Sequence, residues 1–415
     1  MIIFKPFRAL RPIPELAQAV ASRPYDVLDS AEAREEAQGN PHSFLRVIKP
    51  EIDLSDEIDP YSDEVYKKGK SNFLQMIEDG VFKQDSHESF YIYRLTMAGR
   101  SQTGIVGCCF YQQYFDGLIK KHELTRTAKE NDRVRHVEEL EANAEPVFFS
   151  YRAKPEIDRI VEEIQLSKPL YDFLAEDGVR HELWVTTSGK MNEQIAELFL
   201  TVPSLYVADG HHRTAAAARI GKKKKDANLA HNGNESYNYF MTVVFPDHQL
   251  KIFDYNRVVR DLNGLTEVQF LSRLEEDFSL EPIAADAASA KPTKIRQLGL
   301  YLPGSWYRLF PKNSSRNDDP IKDLDVTLLS EMILDPILDI KDLRKSDRID
   351  FVGGIRGLEE LEKRVDSGEM AAAFALFPVE MEQLLAIADN EQIMPPKTTW
   401  FEPKLRSGLF VHSFV

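Results

Sequence analysis

Cysteine is nearly absent from this chain: the adjacent pair Cys108-Cys109 is all that 415 residues contain. The pair lies inside the apolar run Gly104-Ile-Val-Gly-Cys-Cys-Phe110, which reads as a strand, and neighbours on a strand point to opposite faces. That argues against a mutual disulfide and a secreted disulfide framework, and leaves two buried structural thiols. Long apolar runs are missing too, with none near the roughly 20 residues that a membrane span requires. The opening Met1-Ile-Ile-Phe-Lys-Pro-Phe-Arg has no basic region ahead of a long apolar core and no small-residue cleavage site. It reads as a strand and not as a secretion signal. Positive charge is the third shortage. With 52 Lys and Arg against 67 Asp and Glu, the formal net charge is −15, which disfavours a broad surface for nucleic acid or anionic membrane. A local basic pocket for a small anion stays compatible with that balance. At 43% hydrophobic and 29% charged residues, the composition is that of a soluble, cytoplasmic protein of two or three lobes. It sets no oligomeric state.

Strands and helices alternate without a repeat and without strict βαβ order, so the expected class is α+β rather than doubly wound α/β. Residues 31–38 read as a helix begun by Ser30, and 63–80 as an amphipathic helix. Residues 90–95 and 103–110 read as a strand pair joined by a glycine turn. A charged helical stretch is expected over 114–143, then strands at 147–151 and 183–186 and a helix at 192–199. The lysine run Lys222 to Lys225 reads as an exposed loop after a helix. Strands at 239–245 and 250–259 and a helix at 266–278 follow. Residues 284–294 are poor in large apolar side chains and bounded by prolines, a linker pattern. The expected division is a core over 1–283 and a smaller lobe over 296–415 whose closing block folds back on the core.

What is present and most informative is Leu205-Tyr-Val-Ala-Asp209-Gly210-His211-His212-Arg213, followed by an alanine-rich run. An apolar strand meets Asp-Gly and a helix begins at once. At such a junction the first helical N–H groups are unpaired and carry partial positive charge, which suits phosphate. The two histidines and the arginine are expected to face a ligand. A metal site is disfavoured, because ligands on one helix face want a spacing of three or four, and adjacent residues diverge. A turn with a surface histidine pair is the plain structural alternative.

A second cluster is His122, Glu123, Arg126 and Arg133, expected on one helix, where His122 and Arg126 share a face. Spacing alone favours an ordinary salt-bridged surface. A third is the closing block, where Pro395-Pro396, Lys397, Trp400, Phe401 and Lys404 describe a stiff extended segment. Either it packs its aromatics and leaves its lysines in water, or it brings cations and an aromatic face to the pocket. Pro24-Tyr25-Asp26 is likewise a rigid turn or a pocket wall.

These blocks together resemble the DUF1015 family of bacterial and archaeal proteins. The resemblance rests on the Asp-Gly-His-His-Arg signature and on Phe4-Lys-Pro-Phe7-Arg-Ala-Leu-Arg11. It extends to Pro24-Tyr25-Asp26-Val27, to Lys121-His122-Glu123-Leu-Thr125-Arg126 with Glu130-Asn-Asp132-Arg133, and to residues 394–409. The signature region of that family resembles the nucleotide-binding core of the ParB and sulfiredoxin superfamily, which includes free serine kinases and a CTP-hydrolysing DNA clamp. Two departures stand out. Thr214 follows Arg213 where an aromatic is common, and Asn256 stands in Tyr255-Asn256-Arg257 where relatives often carry His. The resemblance implies a nucleotide (ATP, ADP or CTP) with Mg2+, used to phosphorylate a small hydroxyl compound such as a free amino acid. Asp209, His211, His212 and Glu123 are then the catalytic candidates. Gly210, Arg213, Arg126, His122, Lys397 and Lys404 hold phosphate, Tyr25 and Asp26 wall the pocket, and no metal-ligand set of the protein's own is assigned. The alternative is a nucleotide-binding regulatory module of the ParB kind that makes no metabolic product.

Overall fold

The computed structural model describes residues 1–186, 188–283, 287–313 and 319–414. The chain is mixed α+β and gathers into two compact units, Met1–Leu250 with Pro403–Val415, and Lys251–Glu402. Among the described residues no helix is long and apolar enough to cross a membrane.

Nine strands form one mixed sheet in the first unit: β1 (Phe4–Lys5), β2 (Tyr91–Met97), β3 (Arg100–Phe110), β4 (Ile119–Lys120), β5 (Val147–Tyr151), β6 (Tyr171–Leu174), β7 (Arg180–Val185), β8 (Leu205–Asp209) and β9 (Tyr239–Pro246). Their order is β4-β8-β5-β9-β3-β2-β7-β6, with β1 pairing onto β3. β8 is parallel to β4 and β5 to β9, while the other pairs are antiparallel. The β2–β3 hairpin turns at Ala98 and Gly99, both at positive φ (49° and 76°), the backbone that a tight two-residue hairpin needs. Five longer helices accompany the sheet: α1 (Asp63–Glu78), α2 (Thr127–Leu140), α3 (Pro155–Gln165), α4 (Gly189–Leu200) and α5 (His211–Ala227). Ile157, Val161 and Ile164 of α3, Ile195 and Phe199 of α4, and Ala217 and Ala218 of α5 join Phe4, Ile105, Phe149 and Val207 in one apolar core. Alanine is what lets α5 approach the sheet closely.

A second apolar cluster gathers the N-terminal segment, α1 and the end of the chain, with Val20, Tyr25, Phe44, Phe73, Phe82, Leu140 and Val411. The closing residues are stitched in by backbone bonds, not laid on the surface. Leu10 and Val411 exchange bonds of 2.9 and 2.8 Å, and Ser22 and Ser407 exchange bonds of 3.1 and 2.8 Å. Gly408 adopts φ 89°, and a Cβ there would lie 2.8 Å from Phe44 Cβ.

The second unit is built on an antiparallel sheet of β10 (Tyr255–Val259), β11 (Phe278–Ile283), β12 (Leu298–Leu302), β13 (Ser305–Pro311), β14 (Ile349–Gly353) and β15 (Ala372–Ala375), ordered β11-β13-β12-β15-β10-β14. The helix Glu359–Asp366 places Leu361 and Val365 in its core with Val258, Trp306 and Ala373.

Several expectations need correction. The stretch 114–143 is not one helix: a turn of helix (Gln112–Phe115), strand β4 and a loop precede α2, whose N-cap is Arg126 in an extended conformation. His122, Glu123 and Arg126 therefore sit before the helix and share no helical face, because β4 must pair with β8 before α2 can begin. The lysines 222–225 are the last turns of α5 and not a loop. Lysine is a good helix former and suits a helix C-terminus, and Lys223 and Lys224 pair with Glu138 and Glu141 of the α2 region. The helix expected over 31–38 runs Ser30–Glu36 and is capped by Asp29 in a capping box with Glu32, one residue before Ser30. The strand expected over 250–259 is broken, with Ile252–Phe253 pairing Trp400–Phe401 and β10 beginning at Tyr255. Of the linker 284–294, residues 284–286 lie outside the described residues. Ala287–Ala290 is a short helix that buries Ala287 and Ala290 in the core of the second unit.

Gly107 offers a test of this packing. A Cβ there would meet Phe4 Cζ and Phe90 Cε1 at 2.7 Å. Gly107→Ala is expected to cost roughly 1–3 kcal/mol by overpacking, read as a lower urea midpoint at constant m-value. An unchanged midpoint would refute the close packing of these rings.

Candidate functional site

The site grows from the end of β8. A register shift between Val207 and Asp209 re-aims the strand end. Gly210 then takes φ 87°, and a Cβ there would lie 3.1 Å from Arg213 Nε, so glycine is needed both for its backbone and for its missing side chain. The Gly210 carbonyl accepts from Thr214 N at 2.9 Å and from Thr214 Oγ1 at 2.9 Å, which starts α5. That bond gives Thr214 a structural reason at its position.

Asp209 and Arg213, four residues apart, close on each other. Arg213 Nη2 donates to Asp209 Oδ2 at 2.9 Å and lies 3.7 Å from Asp26 Oδ2, while Nη1 donates to the Pro146 carbonyl at 2.9 Å. The other Asp209 oxygen accepts from Lys404 Nζ at 3.1 Å. Burial raises the Asp209 carboxyl, but Lys404 and Arg213 outweigh it and hold the group well below the usual carboxylate range. Burial works against the Arg213 charge as well, and Asp26, Asp209 and Glu145 overcome it, so the guanidinium stays charged. Arg213 is 6% exposed, so it faces a protein cage rather than an open ligand surface, contrary to the sequence expectation. Its Nε, also buried, has no hydrogen-bond partner among the described residues.

His211 is 8% exposed and also turns inward. Its ring meets His122 edge to face, with centroids 4.6 Å apart, and its Nδ1 lies 4.0 Å from Glu123 Oε2. Its Nε2 is buried and has no hydrogen-bond partner among the described residues. Burial, reinforced by His122, pushes the His211 pKa well below the ordinary value, and burial against the pull of Asp209 lowers His122 to about 4. Both rings are neutral at pH 7. His212 is half-buried and accepts the Arg126 backbone N–H at Nε2, 3.0 Å. Burial and then Lys129 lower its pKa. The structure thus gathers Asp26, His122, Glu123, the Arg126 backbone, Asp209, Gly210, His211, His212, Arg213 and Lys404 around one helix start. Lys397 belongs to the second unit.

Tyr25 is fixed by a cation–π contact with Arg133, 3.9 Å from its ring centre, and its N–H donates to Glu145 at 3.3 Å. Arg133 pairs with Glu145 at 3.2 Å and with Asp132 at 2.9 Å, and Asp132 accepts from Tyr66 at 2.7 Å. Sequence reasoning missed Glu145 and Tyr66. The signal for Glu145 was a lone carboxylate in the apolar run Ala144-Glu145-Pro146-Val147-Phe148. Burial raises its pKa in spite of Arg133 and Arg213.

A cavity of about 20 Å³ beneath the junction, lined by Arg133, Glu145 and Arg213 among others, has room for about one water. That is too little for a nucleotide, and of the carboxylates around the junction Asp26, Glu123 and Asp209 keep 32%, 39% and 26% of their side chains exposed. A larger groove of about 560 Å³ at Arg34 and Arg46 is no rival. Both arginines are spent on backbone carbonyls and on Asp56 and Asp53. Among the described residues, no three His, Cys, Asp or Glu side chains are grouped as a metal site.

The buried neutral histidines carry a pH dependence. His122 titrates near 4 folded and near 6.5 unfolded, so its contribution is full above pH 6.5 and is lost as pH falls towards 4. His122→Asn is expected to flatten the fall in unfolding free energy between pH 6.5 and 4 by about 1.4 kcal/mol per pH unit. Urea titrations across that range check it, and an unchanged slope would rule out a neutral His122.

Comparison with the curated proteins finds no match. Solved structures share the outline only at low scores. A conserved hypothetical protein from Pyrococcus furiosus aligns at TM-score 0.34 and 14% identity, covering 71% of this chain and 91% of its own. A free serine kinase variant in complex with AMP gives 0.35 and 13%, covering 70% and 89%. SbnI from Staphylococcus aureus, truncated at its C-terminus, gives 0.37 and 10%, covering 73% and 85%. Likeness at this level says nothing of what this chain binds. Sequence comparison is decisive where these are not: residues 4–327 match the family described as a protein of unknown function, DUF1015, and the chain belongs to that family.

Proposed function

We propose that the protein is a nucleotide-dependent phosphotransferase acting on a small hydroxyl compound such as a free amino acid, with its centre at the start of α5. The observation that carries this reading is the buried, unpartnered Nε2 of a neutral His211 at a helix start that also gathers His212, Lys404 and the exposed carboxylates Asp26 and Glu123. A buried polar atom left unsatisfied is costly and calls for an explanation, and a bound substrate supplies one. In this reading the junction is the counterpart of the ParB and sulfiredoxin nucleotide core.

Phosphoryl transfer needs positioned cations and a group near the attacking oxygen more than it needs covalent chemistry. The first-turn N–H groups of α5 take phosphate oxygens, aided by Lys404 and Arg126. Arg213 keeps the junction in shape from beneath. With a proton on Nδ1 facing Glu123, His211 Nε2 accepts the proton of the substrate hydroxyl. Asp209 is too firmly ionised for that task. Asp26 and Glu123 would hold the Mg2+ that accompanies a nucleotide, since both Asp209 oxygens are engaged. When bound it would neutralise developing phosphate charge. Tyr25 and Asp26 form the wall.

The test is a calorimetric panel of ATP, ADP and CTP with and without Mg2+, followed by product assays with serine and other small hydroxyl compounds. His211→Gln is expected to lower kcat by about 10²–10⁴-fold, as loss of a general base does, with nucleotide Kd nearly unchanged. Nucleotide binding with no phosphorylated product from any acceptor would overturn the kinase reading in favour of a regulatory, ParB-like module.

A further inference from the structure

The charge distribution of the second unit holds an anomaly apart from that site. Arg296, Arg348 and Arg364 each face a carboxylate. Arg257 on β10 is 1% exposed, yet among the described residues no carboxylate pairs with it. Its guanidinium goes to backbone carbonyls instead: Nη1 donates to Tyr255, and Nη2 donates to Lys397 at 2.9 Å and Pro396 at 3.4 Å. Burial lowers its pKa to about 10. A buried cation without a counter-charge is expensive, so the position has to return something.

What Arg257 holds is a strained turn. Lys397 sits at φ 55°, the left-handed region that a residue with a Cβ avoids. Pro395 and Pro396 stiffen the approach, and Thr398 Oγ1 closes the turn on the Pro395 carbonyl at 2.6 Å. Strain of this kind persists where the surroundings enforce it, and it collects at ligand sites. The turn sets the Lys397 ammonium 5.7 Å from the Tyr255 ring centre, and the Arg257 guanidinium lies 5.8 Å from the same centre. Trp400 packs edge-on against that ring at 5.1 Å, seated close to the Gly353 backbone, where a Cβ would come within 3.0 Å of the indole. Lys397 is exposed and, like Arg257, has no carboxylate among the described residues. Two cations without a carboxylate among the described residues thus lie within 6 Å of one ring centre in a chain of net charge −15.

We propose that this corner of the second unit is a separate phosphate-binding site, with Lys397 as the contacting ammonium and Arg257 as the positioning residue that holds its turn. A phosphate ester fits better than a carboxylate, because its greater charge draws more from the exposed Lys397 ammonium, which has no carboxylate partner among the described residues. The site does not depend on the phosphotransferase reading of the first unit.

Calorimetry of the full chain with inorganic phosphate, and with acetate at matched ionic strength, tests it. Lys397→Asn removes the charge with a side chain that tolerates positive φ, and Lys397→Arg restores the charge. Lys397→Asn is expected to weaken one phosphate site at least about tenfold, Lys397→Arg to retain it, and His211→Gln in the first unit to leave it within about twofold. Arg257→Lys, which keeps charge but cannot hold both carbonyls, should weaken phosphate in the same way if it folds. Equal phosphate binding by Lys397→Asn and the unaltered chain, or equal affinity for acetate, would overturn the proposal. Phosphate lost only in His211→Gln would do so too, while leaving the first-unit reading intact.

Discussion

The carboxylate of Asp209 is the constraint on which the first unit turns. It ends β8, faces the helix that begins two residues later, and is shared by Arg213 on one oxygen and Lys404 on the other. Arg213 is in turn tied to the Pro146 carbonyl just before β5 and approaches Asp26 near the N-terminus. One charge thus fixes the N-terminal segment, two sheet strands and the end of the chain relative to each other. Such a group tolerates no partial loss. Removing either cation leaves a poorly solvated charge, a more severe fault than removal of a surface pair.

Around that clamp the polar groups are satisfied unevenly, and the unevenness is informative. Arg133, Asp132, Glu145, Tyr25 and Tyr66 form a closed network with each charge answered. Among the described residues, His211 Nε2 and Arg213 Nε are buried at the start of α5 with no hydrogen-bond partner. Burial at the same place keeps His122 and His211 neutral, because a dry surrounding disfavours imidazolium.

Local chemistry made much of the architecture legible. The hairpin of β2 and β3 followed from alternating apolar runs around a glycine turn. The junction from β8 to α5 followed from an apolar run, Asp-Gly and alanines. In both, neighbours in sequence determine the backbone, and the tertiary fold agrees with them. Residues 114–143 were misread because Lys, Glu and Arg favour helix wherever they stand. A two-residue pairing of β4 with β8, remote in sequence, decided otherwise. The lysine run 222–225 was misread in the opposite sense: its charges belong to a helix whose partners lie on another helix, and no window of sequence contains both.

By itself the sequence determined the helix start at Gly210, the identity of the groups at its mouth, the burial of Cys108 and Cys109, and the family. Each rests on short-range physics or on motif order. Only the tertiary structure decided that Arg213 faces Asp209 and a carbonyl rather than solvent. It alone brought Lys404, 195 residues away in the chain, onto the same carboxylate, placed His122 edge-on to His211 without a shared helix, and set Arg257 beneath Lys397. Those outcomes depend on which distant segments close around a charge. The cost of burying a charge is settled by the complete set of its neighbours, and chain order does not encode that set.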